Sequence, residues 1–269
     1  MTPPPQGFFR CSRYGGSLLM TLLLAAFVGG SIRLGTVSPV DVPDTPGYTE
    51  FDWSMPALLA QRRTFGYPLY LRIHELVTGG YAWVCWGQAA LFAVAAVVFS
   101  RAASRSRTQQ LAILTGMLGA NIYWLYNQTI ATDTPAAAMG ILSMAFVLQL
   151  ARQWRLRTML FVCIAVTAAW CIRPAMLAVL PAAVVTYWLV ARQWESELKN
   201  AQNETVRTPK RKVIREAGWL CVGLCVPVLL FCSLRLAAVG KFGIVSFGGY
   251  NLIGVVGQFP NADEVSLTT

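Results

Sequence analysis

Residues 81–107 read YAWVCWGQAALFAVAAVVFSRAASRSR, and this stretch decides the fold class. Its first twenty residues carry no charge, and the next seven carry Arg101, Arg105 and Arg107. A helix of about 20 mostly apolar residues crosses a bilayer, and arginines gathered beyond one end mark the end that stays in the cytoplasm. Outward from this stretch the pattern repeats. Apolar segments at 16–34, 111–126, 135–151, 159–171, 175–191 and 217–238 join 81–100. Lys and Arg collect in every second gap: Arg10 and Arg13 before the first segment, Arg152, Arg155 and Arg157 after the fourth, and a basic tract at 192–215 after the sixth. The alternate gaps hold Asp41, Asp44, Glu50, Asp52, Glu75, Asp133, Asp263 and Glu264. The expectation is an all-α integral membrane protein, one polytopic domain over residues 1–269. It has about seven transmembrane helices, a cytoplasmic N-terminus, and external loops at 36–80, 127–134, 172–174 and 239–269.

Composition points the same way. Charged residues are 13% of the chain, against about 25% in soluble domains, and mean hydropathy is +0.51. The net charge of +10 is not a nucleic-acid footprint, because 15 of the 22 Lys and Arg lie in the gaps read as cytoplasmic, where membrane orientation and anionic lipid account for them. Seven cysteines sit almost entirely inside apolar runs without paired loop spacing, so neither a disulfide framework nor a zinc site is indicated. Cys221 and Cys225 share a helix face as small packing residues. A signal peptide cleaved after Gly30 would leave the next span's arginines on the wrong side, so 16–34 is read as a retained span. Arg33 and Arg235, near the outer ends of their helices, are expected to snorkel to the interface.

The first external loop is the longest. Residues 40–47 hold two prolines and two aspartates, an irregular connector. Phe51, Met55, Leu58 and Leu59 then recur at helical spacing, which predicts a short amphipathic helix over 54–61 with Pro56 in its first turn. Tyr67, Tyr70 and Trp83 read as an aromatic belt before the second span. The basic tract 195–212 reads as a flexible loop.

Few residues offer chemistry. Asp44, in the run Pro43-Asp44-Thr45-Pro46-Gly47-Tyr48, is a general base if a substrate hydroxyl comes within hydrogen-bond reach, or a turn aspartate bonding its own backbone. Asp41 has the same claim with less context. Asp133 precedes Pro135 at the start of a span, where it either caps the helix or sits beside an anion-binding helix N-terminus. Arg173 stands at a hairpin tip, as a phosphate clamp or a headgroup anchor. His74 is the lone histidine and cannot build a metal centre by itself. Asn127-Gln128-Thr129 and Asn203-Glu204-Thr205 match the glycosylation pattern, one hugging the membrane and the other on the cytoplasmic side. There is no Walker loop, dinucleotide fingerprint or metal-ligand cluster.

Taken together, these residues resemble a family. Pro43-Asp44-Thr45 with Tyr48, then Arg63 and Gly66-Tyr67-Pro68-Leu69, resembles the first external loop of the GT-C superfamily of polyprenyl-phosphate-sugar glycosyltransferases, which includes protein O-mannosyltransferases and the aminoarabinose transferases of lipid A. Asp133 stands where that family carries its second external acidic residue, and Arg173-Pro174 matches its Arg-Pro after the fifth span. Gly240-Lys241-Phe242-Gly243, Ser246, Gly249 and Asn251-Leu252 resemble its segment after the seventh. The chain is similar to the amino-terminal half of the family's transmembrane core. The resemblance implies transfer of a sugar from a polyprenyl-phosphate donor to a lipid, glycan or protein acceptor, with inversion, on the periplasmic side of a bacterial plasma membrane. Asp44 would act as base and Asp133 would support the acceptor or sugar. Tyr48, Arg63, Tyr67, Arg173 and Asn251 would bind substrate, Arg173 holding the lipid phosphate. The resemblance fixes no cofactor, and a divalent cation is compatible with it. The rival readings are a noncatalytic membrane protein that binds lipid or partners, and, third, a transporter, disfavoured because the polar residues lie at helix ends and not at midmembrane.

Overall fold

The computed structural model describes residues 8–60, 63–123, 126–202 and 210–244. Among these there is no β-strand, only an isolated parallel bridge between Val40 and Thr129. The helices are α1 (Phe8–Arg33), α2 (Pro46–Thr49), α3 (Met55–Ala60), α4 (Gly66–Thr78), α5 (Val84–Ala103), α6 (Arg107–Tyr123), α7 (Asp133–Arg152), α8 (Leu156–Ile172), α9 (Val179–Gln202) and α10 (Lys210–Val239), with 3-10 turns at Tyr126–Gln128 and Pro174–Ala178. Four stretches are long and apolar enough to cross a membrane: Val84–Ala103, Asp133–Arg152, Pro174–Glu197 and Lys212–Val239. The apolar helices Ser17–Arg33 and Leu156–Ile172 are shorter. At 17 residues, α6 spans roughly 26 Å at 1.5 Å per residue, less than a hydrocarbon core of about 30 Å.

The bundle is organised by α7, which packs against α5, α8 and α9. The sequence of α7 explains how. Ala136, Ala138, Gly140, Ser143 and Ala145 are buried along it, and small side chains let helix backbones approach closely in an apolar medium. At Gly140 a Cβ would lie 2.5 Å from Met176 Cε. Two apolar clusters meet on this helix. One joins Val147 and Leu150 to Val162, Trp170, Tyr187 and Leu220 of α8, α9 and α10. The other joins Ala138 to Phe27 of α1, Phe92 of α5 and Leu114 of α6. Large apolar side chains on the outer faces, Leu22, Ile164, Leu229 and Leu234 among them, are exposed, as lipid-facing surfaces require.

A third cluster lies beside the connectors and combines Tyr48, Tyr67, Leu71, Val84, Ile130, Ala136 and Ile172. Here the structure corrects two expectations. Tyr67 does not stand in an interfacial belt: it begins a 13-residue helix and is 0% exposed. The reason is Gly66, where a Cβ would lie 2.5 Å from the backbone carbonyl of Cys171; without one, α4 abuts the end of α8 and Tyr67 is drawn inward. This helix closes at Gly79, whose φ of +75° suits the left-handed cap. Arg235 likewise does not snorkel. It is 2% exposed, with Nε donating to the Leu59 carbonyl at 2.8 Å and Nη1 to that of Gly243 at 3.0 Å. An arginine beside an apolar helix face finds backbone carbonyls as readily as water when a short helix such as α3 ends above it. Arg33 is exposed at the end of α1.

Gly66→Ala is therefore expected to lower the thermal midpoint in detergent by the equivalent of about 1–3 kcal/mol, the cost of overpacking a close contact. Gly116→Ala, with nothing within 4 Å of its Cβ position, is expected to be neutral or stabilising by up to about 1 kcal/mol.

Candidate functional site

The long connector between α1 and α4 is fastened to the segment that leads into α7. Val40 N–H donates to the Gln128 carbonyl at 2.7 Å and Ile130 N–H to the Val40 carbonyl at 3.1 Å. Thr45 adds a side-chain link, its hydroxyl donating to the Ile130 carbonyl at 3.1 Å while accepting from Val42 N–H at 2.9 Å. Asp44 is the neighbour of Thr45, and Asp133 follows Ile130 by three residues. These bonds hold the two aspartates in one region of the surface.

Asp44 does not bond its own backbone through its carboxylate. It pairs with Arg63, Nη2 to Oδ1 at 2.6 Å and Nη1 to Oδ2 at 3.4 Å. The Arg63 guanidinium also donates to Tyr48 Oη at 2.6 Å and lies 4.4 Å from that ring's centroid. Gly47 makes room for this arrangement, since a Cβ there would lie 2.7 Å from Arg63 Nε. Burial opposes the charge on Arg63, but the Asp44 hydrogen bond and the neighbouring Tyr48 outweigh it and raise its pKa above the usual arginine value.

Aromatic contacts lead inward from this pair. Tyr48 meets Tyr67 edge-on at 5.0 Å, Tyr67 stacks on Tyr70 at 5.9 Å, and Tyr70 meets His74 at 4.7 Å. Burial raises the pKa of Tyr67, with smaller contributions from Tyr70, Cys85, Tyr48 and Asp133, so the phenol stays protonated. Its hydroxyl is buried and has no hydrogen-bond partner among the described residues. Burial also holds the His74 pKa below its usual value, keeping the ring neutral at pH 7.

Asp133 is the first residue of α7. Thr132 takes the cap position, and no side-chain cap bond is present. The capping reading of Asp133 is thereby replaced: its carboxylate accepts a hydrogen bond from Arg173 Nη1. Arg173 is extended between α8 and the 3-10 turn beginning at Pro174, as a residue before proline is expected to be. The side chains of Asp133 and Arg173 are 42% and 43% exposed, so the pair stands at an accessible surface.

Asp44, Arg63, Tyr48 and Tyr67 thus form one contact set, and Asp133 with Arg173 forms a second pair on the loop that Thr45 fastens to the first. Asn251 lies outside the described residues, as do Ser246, Gly249 and the second glycosylation pattern. Asp41 is exposed and outside the set. Asn127, in the first glycosylation pattern, is 0% exposed and donates through Nδ2 to Asn121 Oδ1, out of reach of a modifying enzyme. Sequence reading missed Thr45 as the clasp between the two loops, although it lies inside the quoted run, and missed that Arg235 bonds the end of α3. Among the described residues no group of three His, Cys, Asp or Glu side chains could hold a metal ion. The chain matches no protein-family model, no curated protein and no solved structure.

With Asp44 63% exposed, its pair with Arg63 is worth only about 0–1 kcal/mol to folding. A double-mutant cycle of Asp44→Asn and Arg63→Gln, read by thermal unfolding, is expected to give a coupling below about 1 kcal/mol; a coupling of several kcal/mol would make the pair a structural element. Tyr67→Phe removes an unpaired buried hydroxyl and is expected to raise stability by about 1–3 kcal/mol, a sign opposite to that of an ordinary core substitution.

Proposed function

We propose that this chain is a membrane glycosyltransferase of the GT-C type, taking a sugar from a polyprenyl-phosphate donor. In this reading seven helices cross a bacterial plasma membrane, the N-terminus is cytoplasmic, and the Asp44–Asp133 end of the bundle faces the periplasm. One observation carries the reading. Six residues singled out by the family resemblance, spread from position 44 to position 173, fall into two neighbouring groups: Asp44, Arg63, Tyr48 and Tyr67, joined by an ion pair, a hydrogen bond and a ring contact, and the Asp133–Arg173 ion pair, whose loop is tied to the first by the Thr45–Ile130 bond. Stability alone does not account for them, since both ion pairs are half-exposed and the Tyr67 phenol has no partner among the described residues.

The chemistry follows from the groups. An acceptor hydroxyl attacks the anomeric carbon of the donor, the bond from that carbon to the phosphate oxygen breaks, and polyprenyl phosphate departs with the electron pair. Asp44 takes the acceptor's proton, and Arg63 fixes its orientation. Arg173 exchanges the Asp133 carboxylate for phosphate oxygens, which present a similar geometry to its donor fork. Tyr67, buried and held protonated, stands behind Tyr48 and steadies it edge-on. Single displacement inverts the anomeric centre. Because phosphate is already a good leaving group, positioning and charge stabilisation supply most of the rate. The acceptor is a lipid, glycan or protein hydroxyl or amide, and no cofactor is assigned.

A second reading, a noncatalytic membrane protein that binds lipid or a partner, is favoured by one feature: each aspartate is already matched by an arginine. Membranes containing the chain, supplied with a labelled polyprenyl-phosphate hexose, separate the two. Transfer is expected, falling at least about 100-fold in Asp44→Asn at equal expression, the range for loss of a general base. Equal transfer by both proteins removes Asp44 as base, and absence of transfer from either supports the binding role.

A further inference from the structure

A second site lies at the other end of the bundle. One end of α5, at Val84, belongs to the cluster around Tyr67. The other end, at Arg101, is 17 residues away, roughly 25 Å along a helix. There α1, α5 and α6 surround a cavity of about 540 Å³, within the range of roughly 300–1,000 Å³ typical of small-ligand sites.

Its lining is of two kinds. Leu24, Val97 and Leu111 form apolar wall, and Arg101, Arg105 and Arg107 are exposed around it. No carboxylate lines the cavity among the described residues. The helices that build it cannot supply one: the chain has no Asp or Glu before Asp41 and none between Glu75 and Asp133. Three guanidinium groups around one partly enclosed space repel one another, and an anion relieves that repulsion. The observed contacts of two of them leave phosphate-binding capacity in place. Arg101 Nη2 donates to Met20 Sδ at 3.5 Å, a weak acceptor. Arg105 sits over the Trp194 ring at 4.7 Å, a contact that engages the guanidinium face and not its N–H fork.

Apolar walls and exposed arginines fit a ligand that is itself amphipathic. The helix α1 touches the bundle chiefly through α6 and exposes Leu18, Leu19 and Leu22 beside the cavity residues Met20 and Thr21, so the apolar wall continues onto a lipid-facing surface. We propose that this cavity binds the phosphate group of an anionic membrane lipid, the arginine forks engaging phosphate oxygens and an acyl chain lying against Leu24, Val97 and Leu111. A free phosphate ion would use the arginines and leave the wall without a role. The site is independent of sugar transfer.

Native mass spectrometry of the full chain in detergent, titrated with phosphatidylglycerol, phosphatidylcholine or inorganic phosphate, tests this. Phosphatidylglycerol is expected to bind at least about fivefold more tightly than phosphatidylcholine and to resist competition by millimolar phosphate. Combined Arg101→Gln, Arg105→Gln and Arg107→Gln is expected to lower occupancy about tenfold, whereas Arg155→Gln with Arg157→Gln, two arginines outside the cavity, changes it less than twofold. Thr21→Trp keeps the arginines and fills the cavity; it is expected to abolish retention, and it decides the matter if the triple variant does not fold. Equal affinity for the two lipids, displacement by inorganic phosphate, equal loss from the Arg155 and Arg157 pair, or full retention in Thr21→Trp overturns the proposal.

Discussion

Everything at the Asp44 end of the molecule depends on how an irregular loop beside a membrane satisfies its own backbone. Peptide groups that leave water unpaired are costly, and the connector after α1 is too rich in proline to become a helix. It borrows partners from the other short connector, 128–130, through the Val40 pairing and the Thr45 hydroxyl. Two loops that are distant in sequence thereby become one structure, and the aspartates they carry acquire a fixed relation. Without this clasp, Asp44 would belong to a loose segment and Asp133 to the tip of a rigid helix.

The rigid side of that relation comes from α7. Its small residues bring α5, α8 and α9 close, so Asp133 starts the most enclosed helix of the bundle, and the end of α8 delivers Arg173 to it. Gly66 and Gly47 work on the loop side in the same manner. Each removes a Cβ where another chain segment must pass, one bringing Tyr67 inward and the other seating Arg63 against the loop. The charged groups then need little energy of their own to be positioned, because backbone bonds and close packing have already placed them.

Much of this is legible in the sequence, and what is not has physical causes. The periodic placement of arginines and apolar runs identifies a helical membrane protein, and the acidic residues of the connectors identify Asp44 and Asp133. The partner each carboxylate takes cannot be read, because it depends on a residue 19 or 40 positions away brought close by tertiary packing. Local rules therefore favoured a turn for Asp44 and a cap for Asp133, and in both cases an arginine won. The helix α4 was hidden because its residues also fit an interfacial aromatic belt, and only the close approach at Gly66 separates the two. Asn127 satisfies a sequence pattern for modification, yet its amide is used inside the fold. Four helices are long and apolar enough to cross a membrane, fewer than the seven apolar segments of the sequence, because several of those segments form helices shorter than a bilayer requires.

The buried Arg235 has a consequence for the order in which the molecule is made. Its carbonyl partner at Leu59 lies 176 residues earlier in the chain, so during synthesis α3 must wait for this bond until α10 has been made. The helices that flank Asp133 and Arg173, α7 and α8, are made well before α3 is tied to α10. Nascent chains halted between these two events would carry Asp44, Asp133 and Arg173 but hold α3 only loosely. Arg235 thus marks the moment in biogenesis when a collection of inserted helices becomes a closed structure.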